Sequence, residues 1–184
     1  MKKNTIVLIL FILTLLYSGT TNAGFGLGAS AGYFEPADSF FRSYCPSGIS
    51  YGVFGEWISD DGLGVQLESD FFIRETPYQG RDYRVLLLPT TIAIAYAPRF
   101  SERIIPLFAF GWGVYYLGNF PNENESADNL TAFGYHGSGS LRFRIAHGIF
   151  TDLRLKYSYA HLENNIHIDV GGWTSSIGVG YEFH

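Results

Sequence analysis

From Trp173 to Phe183 the chain alternates residue by residue, and this pattern constrains its fold more than any other feature. Trp173, Ser175, Ile177, Val179, Tyr181 and Phe183 fall on one side, and Thr174, Ser176, Gly178, Gly180 and Glu182 on the other. A period of two is the signature of a β-strand with unlike environments on its two faces. Leu63–Arg74 repeats it, with Leu63, Val65, Leu67, Phe71 and Ile73 against Gly64, Gln66, Glu68, Asp70 and Arg74. So do Tyr135, Leu141, Phe143 and Ile145 against His136, Ser138, Ser140, Arg142 and Arg144. Leu153, Leu155, Tyr157 and Tyr159 likewise oppose Asp152, Arg154, Lys156 and Ser158.

Three further segments follow the rule around Phe25–Tyr33, Ile49–Trp57 and Phe108–Val114. An eighth, Tyr83–Ala97, sets Leu88, Ile92, Ile94 and Tyr96 against Pro89, Thr91, Ala93 and Ala95. Pro89 has no N–H to give, so it marks a bulge or an interrupted ladder. The result is eight strands of about ten residues, enough to cross a bilayer at a 45° tilt. Glu35–Gly48, Glu75–Asp82, Asn119–Thr131 and His161–Gly171 read as long polar loops. Ser59–Gly62 and Ala146–Gly148 read as tight turns, and Pro98–Ile105 as a somewhat longer one. Loops that alternate long and short belong to an up-and-down barrel with both termini at the short-turn end.

The start of the chain has another character. Lys2 and Lys3 precede an apolar run from Ile6 to Tyr17, and small residues Thr21 and Ala23 precede Gly24. This is the layout of a signal peptide cut after Ala23. The run is too short to cross a hydrocarbon core of roughly 30 Å. The expected division is 1–23 as signal peptide and 24–184 as one barrel domain.

Periodicity does not say which face is wet, because a secreted lipocalin-like barrel alternates too. Bulk and charge favour a membrane barrel, which is polar inside and apolar outside. The polar rows hold Glu56, Glu68, Asp70, Arg142, Arg144, Asp152, Arg154, Lys156 and Glu182 among Gly and Ser. These four bases and five acids are nearly balanced, and they are expected to pair across the lumen. The opposite rows hold the Leu, Ile, Trp and Tyr, too bulky for so narrow an interior. Tyr33, Trp57, Tyr96, Trp173 and Tyr181 stand at strand ends, where interfacial girdles form. Charged residues are only 16% of the chain, against about a quarter in soluble domains. The mean hydropathy of +0.08 is too low for a bundle of membrane helices. Without Lys2 and Lys3, 10 basic residues face 17 acidic ones, a net charge of −7. That excludes a basic nucleic-acid face.

Over the whole mature part the chain resembles the OmpA/OmpX-like family of small outer-membrane β-barrels. The resemblance is carried by Gly24–Tyr33, Pro106–Tyr116 and Gly171–Phe183. The ending, with Gly178, Tyr181 and Phe183, is similar to the family's closing signal of a glycine and alternating aromatics. It implies recognition by the barrel-assembly machinery and residence in the outer membrane among its lipids. His184 departs from the pattern, since family members end on the aromatic itself.

Little suggests an enzyme. Ser158, His161 and Glu163 are a candidate acyl-transfer set. The segment is similar to a lipid A deacylase pattern, but Glu163 stands at the nucleophile position. Ser158 and His161 also fall on opposite faces of a continuous strand. His136, His147, His161, His167 and His184 lack metal-ligand spacing apart from His161 and His167 in one loop. Glu123, Glu125 and Asp128 form an acidic loop, read as solvated. Cys45 is alone and reads as an incidental loop thiol. No cofactor or metal is expected. The chain reads as a monomeric scaffold presenting loops outward, with no identifiable external partner. A lipid A-modifying hydrolase and a narrow conduit for small apolar ligands are the alternatives.

Overall fold

In the computed structural model the alternating segments pair as long antiparallel strands, and residues 24–78, 81–98, 101, 103–121, 127–162 and 168–183 are described. The strands are β1 (Gly24–Pro36), β2 (Gly48–Ile58), β3 (Leu63–Tyr78), β4 (Arg81–Tyr96), β5 (Ile104–Pro121), β6 (Ala127–Ala146), β7 (Ile149–Leu162), β8 (Ile168–Asp169) and β9 (Gly172–Phe183). One short helix, α1 (Ser39–Tyr44), lies between β1 and β2. Each long strand pairs with the next, β7 pairs with β9, and β9 pairs with β1. The two-residue β8 extends the ladder at the end of β7. Eight long strands thus close an antiparallel up-and-down β-barrel. Closure leaves no row of unpaired backbone along an edge, which a bilayer would not tolerate.

The tight turns fall where the sequence places them. At one, Gly62 adopts a φ of 85° and donates its N–H to Ser59 O at 2.9 Å. At the other, His147 and Gly148 take φ values of 44° and 83°. The strands are longer than expected. β3 and β4 pair out to Tyr78 and Arg81, and β5 and β6 out to Pro121 and Ala127. Among the described residues, Glu75–Tyr78, Arg81 and Asp82, and Asn119–Pro121 and Ala127–Thr131, are therefore strand, not loop. Backbone pairing persists after the sequence turns polar, because both faces there can meet water. Pro89 interrupts the ladder without shifting it. Ser69↔Thr90 and Phe72↔Leu87 are in one register, and the two pairs between them are missing.

Alternation also settles the faces. Leu67, Ile94, Phe110, Trp112, Leu153, Leu155, Ile177 and Val179 all point outward and are about half exposed. Glu56, Glu68, Asp70, Arg142, Asp152, Arg154 and Lys156 point inward and are buried.

Candidate functional site

Seven of the nine charged residues expected in the lumen form one chain of contacts, and the other two, Arg144 and Glu182, pair with each other. Arg142 donates to Asp152 through Nε and Nη2, at 3.0 and 3.1 Å, and to Glu56 through Nη1. Arg154 lies 3.4 Å from Asp152 and 3.3 Å from Glu68. Lys156 bonds Glu68 at 2.9 Å and also bonds Asp70. Nearer the short-turn end, Arg144 grips Glu182 with two bonds of 2.9 and 2.7 Å. The strands set up these contacts directly. Arg142 and Asp152 are register partners on β6 and β7, while Glu56, Glu68 and Asp70 reach across from β2 and β3. Buried charges are tolerable only when paired and bonded, and this arrangement pairs each of the nine.

The rest of the interior corrects the expectation that bulky residues stay outside. Phe54 and Phe150 lie inside, at opposite ends of a row that runs Phe54–Gly28–Gly180–Phe150 across four strands. A Cβ on Gly28 or Gly180 would meet the ring of Phe54 or Phe150 at 2.4 or 2.3 Å. The glycines thus make room for two rings, whose centroids lie 6.2 Å apart. The rings in turn support the cations: Arg142 Cζ sits 3.7 Å from the Phe150 centroid and Arg154 Cζ 4.7 Å from that of Phe54. Such cation–π contacts gain strength away from water. In the sequence each Phe stands in an otherwise small or polar row, Phe54 with Ser50, Gly52 and Glu56 and Phe150 with Asp152 and Arg154, but the glycine that faces it is set only by the register.

Towards the long-loop end the lumen becomes apolar. Phe34, Phe72, Val85, Leu87, Tyr115, Leu117, Ala132, Ala160, Leu162, Ile168 and Val170 pack with Phe41 and Cys45 into one buried cluster. Phe41 is delivered by α1, whose first turn is capped by Asp38 accepting from Phe41 N at 2.8 Å. Arg42 ties the helix back to β1 through Pro36 O at 2.6 Å. The β1–β2 connection therefore folds inward as a plug. Cys45 is part of that plug and is fully buried, unlike the loop thiol expected. Burial pushes its thiol up to about 12, against the pull of the Arg74 guanidinium.

Ser158 is buried in the lumen, whereas His161 lies in the outward row and stacks on Tyr159 with ring centroids 6.4 Å apart. The two are not brought together. Glu123, Glu125, Glu163, His167, His184 and the expected signal peptide 1–23 lie outside the described residues. At the closing strand, Tyr181 and Phe183 face outward beside Leu27 and Phe25 of β1, while Gly178 faces inward opposite Ser30. Tyr33 and Trp173 stand at the long-loop end of the apolar belt, and Trp57, Tyr96 and Tyr181 at the other.

No protein-family model matches the sequence, and no curated protein matches it. Solved structures do match. The Neisserial surface protein A superposes with a TM-score of 0.67 at 14% identity, over 88% of this chain and 99% of that one. The N-terminal β-barrel domain of Pseudomonas aeruginosa OprF gives 0.59 at 15%, over 89% and 98%. Escherichia coli outer membrane protein W gives 0.57 at 16%, over 90% and 100%. The fold is that of a small outer-membrane β-barrel. The lipocalin-like arrangement is overturned by the faces themselves, since this barrel has charges within and an apolar belt without. An exposed apolar surface that girdles a closed barrel is a lipid-facing surface.

Proposed function

We propose that this outer-membrane barrel is a closed scaffold that holds its external hairpins and loops above the membrane for recognition. The observation that carries the reading is the doubly filled lumen, with paired charges in the middle and an apolar plug led by Phe41 at the external end. An eight-stranded interior has room for side chains and no more. What remains reachable is the external end, where loops can carry function on a rigid support. Export by the 1–23 segment, assembly through the Gly178, Tyr181 and Phe183 signal, and a monomeric state in outer-membrane lipid belong to the same reading. The separation of Ser158 and His161 onto opposite faces argues against a hydrolase built on that pair. The test is conductance of the purified barrel in planar bilayers. A closed scaffold gives no nanosiemens steps, and such steps in the wild type would refute it.

A further inference from the structure

The nine lumen charges do not balance. Glu56, Glu68, Asp70, Asp152 and Glu182 stand against Arg142, Arg144, Arg154 and Lys156, five acids to four bases. One negative charge is left over in an interior where an uncompensated ion is costly. The surplus shows at the periplasmic end. Glu56 is 3% exposed, gives Oε1 to Arg142, and among the described residues has no partner for Oε2. Glu182 is paired with Arg144, whose side chain is 35% exposed and so partly given over to water.

Both carboxylates lie against the first residues of β1. That strand has glycine at three successive inward positions, Gly24, Gly26 and Gly28. Glu182 Oε1 is 2.7 Å from the point a Cβ on Gly24 would occupy, and Glu56 Oε1 is 2.8 Å from the same point on Gly26. A side chain at either position would push its acid away. The Cβ and N of one residue are about 2.5 Å apart, so Glu182 Oε1 stands within about 5 Å of the Gly24 nitrogen. Gly24 is buried, which keeps that nitrogen out of open water. Glu182 is held in place as well. Its N–H donates to Gly148 O at 2.7 Å, and Arg144 bonds both carboxylate oxygens, each of which can accept a further donor.

We propose that the α-ammonium freed at Gly24 when the signal peptide is cut is the fifth cation of the lumen and pairs with Glu182. Hydrolysis of the Ala23–Gly24 bond by a peptidase consumes one water. It leaves a carboxylate on Ala23 and an amine on Gly24, and the proton given up by the acid is taken up by the amine. A neutral amide thereby becomes a cation where β1 begins, and no new space is needed for it. Processing then does more than remove a targeting segment: the precursor carries the surplus negative charge and the mature barrel does not. The pair also spans the seam that closes the barrel, because Gly24 opens β1 and Glu182 lies near the end of β9, where Phe25 and Phe183 are register partners.

The proposal rests on the reading of a cut after Ala23, and the experiment separates the two. The mass of the protein recovered from the outer membrane gives its first residue. A start other than Gly24 overturns the cleavage reading and the proposal with it. The chain 24–184 is then refolded into a defined bilayer with its α-amine free or acetylated. Acetylation of the unfolded chain at neutral pH reaches the α-amine and spares Lys156, the only other amine in that stretch, because an ordinary lysine is far more basic. In urea, acetylation should lower the folding equilibrium constant by about three- to tenfold, the range for an ion pair between exposed and buried. In Glu182→Gln the same acetylation should change it by less than about twofold. Equal stability of the free and acetylated wild type overturns the pairing while leaving the cleavage reading intact. An acetylation effect of full size in Glu182→Gln overturns it too. If Glu182→Gln fails to fold, Glu182→Gln with Arg144→Gln replaces it under the same criterion.

Discussion

Replacing Arg142 by Met should show how the charged lumen is held together. Arg142 contacts two carboxylates, and their fates differ once it is gone. Asp152 keeps Arg154 at 3.4 Å, whereas Arg142 is the only partner found for Glu56 among the described residues. Both are almost fully buried. Removing one partner of a buried pair costs about 3–5 kcal/mol, mostly through the uncompensated charge left behind. Met retains much of the packing over Phe150, so lost volume contributes little. If the stranded anion is the cause, adding Glu56→Gln should restore roughly 1–3 kcal/mol, the range of coupling between contacting residues. The assay is reversible urea unfolding in a defined bilayer, followed by tryptophan fluorescence and heat-modified migration. A double variant no more stable than Arg142→Met would refute the reasoning, because the cost could not then arise from Glu56.

Gly28→Val should destabilise by about 1–3 kcal/mol through overpacking against the Phe54 ring. Phe54→Leu in the same chain should relieve part of that loss, as read by the same unfolding curves. Cys45 should resist maleimide at pH 8 in the folded barrel and react once the barrel is unfolded. Its raised pKa also means that the folded state holds the proton longer, so stability should decline as pH rises above about 8.5, the ordinary thiol value. Phe183→Glu should sharply lower the folded fraction at equal expression, while deletion of His184 should change it little. Equal losses from the two would place the assembly signal one residue further on.

Much of this barrel was legible in the sequence because alternation is a local property. Trp173–Phe183 and Leu63–Arg74 show their faces without reference to any partner strand, and the charge rows follow from the same count. What was missed depends on neighbours across the sheet. Phe54 and Phe150 enter the lumen only because Gly28 and Gly180 stand opposite them, and single-strand periodicity holds no record of which residue lies opposite. The plug was hidden for a related reason. Asp38 and the six residues of α1 read as part of a polar loop, and only the apolar vestibule formed by Leu87, Tyr115 and Ile168 gives Phe41 and Cys45 a place to go. Strand ends were short in the sequence reading because backbone pairing does not require an apolar face.

That extra length changes how the molecule meets its surroundings. β6 has 20 residues, which at about 3.3 Å each and a tilt near 40° gives a height of roughly 50 Å. The apolar belt of such barrels is only about 25 Å tall. The β5–β6 ladder therefore stands like a mast, with its last pair, Pro121 and Ala127, some 25 Å clear of the hydrocarbon by this estimate. β3 and β4, at 16 residues each, make a shorter one beside it. The unequal strand lengths give the long-loop end of the barrel a stepped profile, higher on the β5–β6 side than on the β3–β4 side.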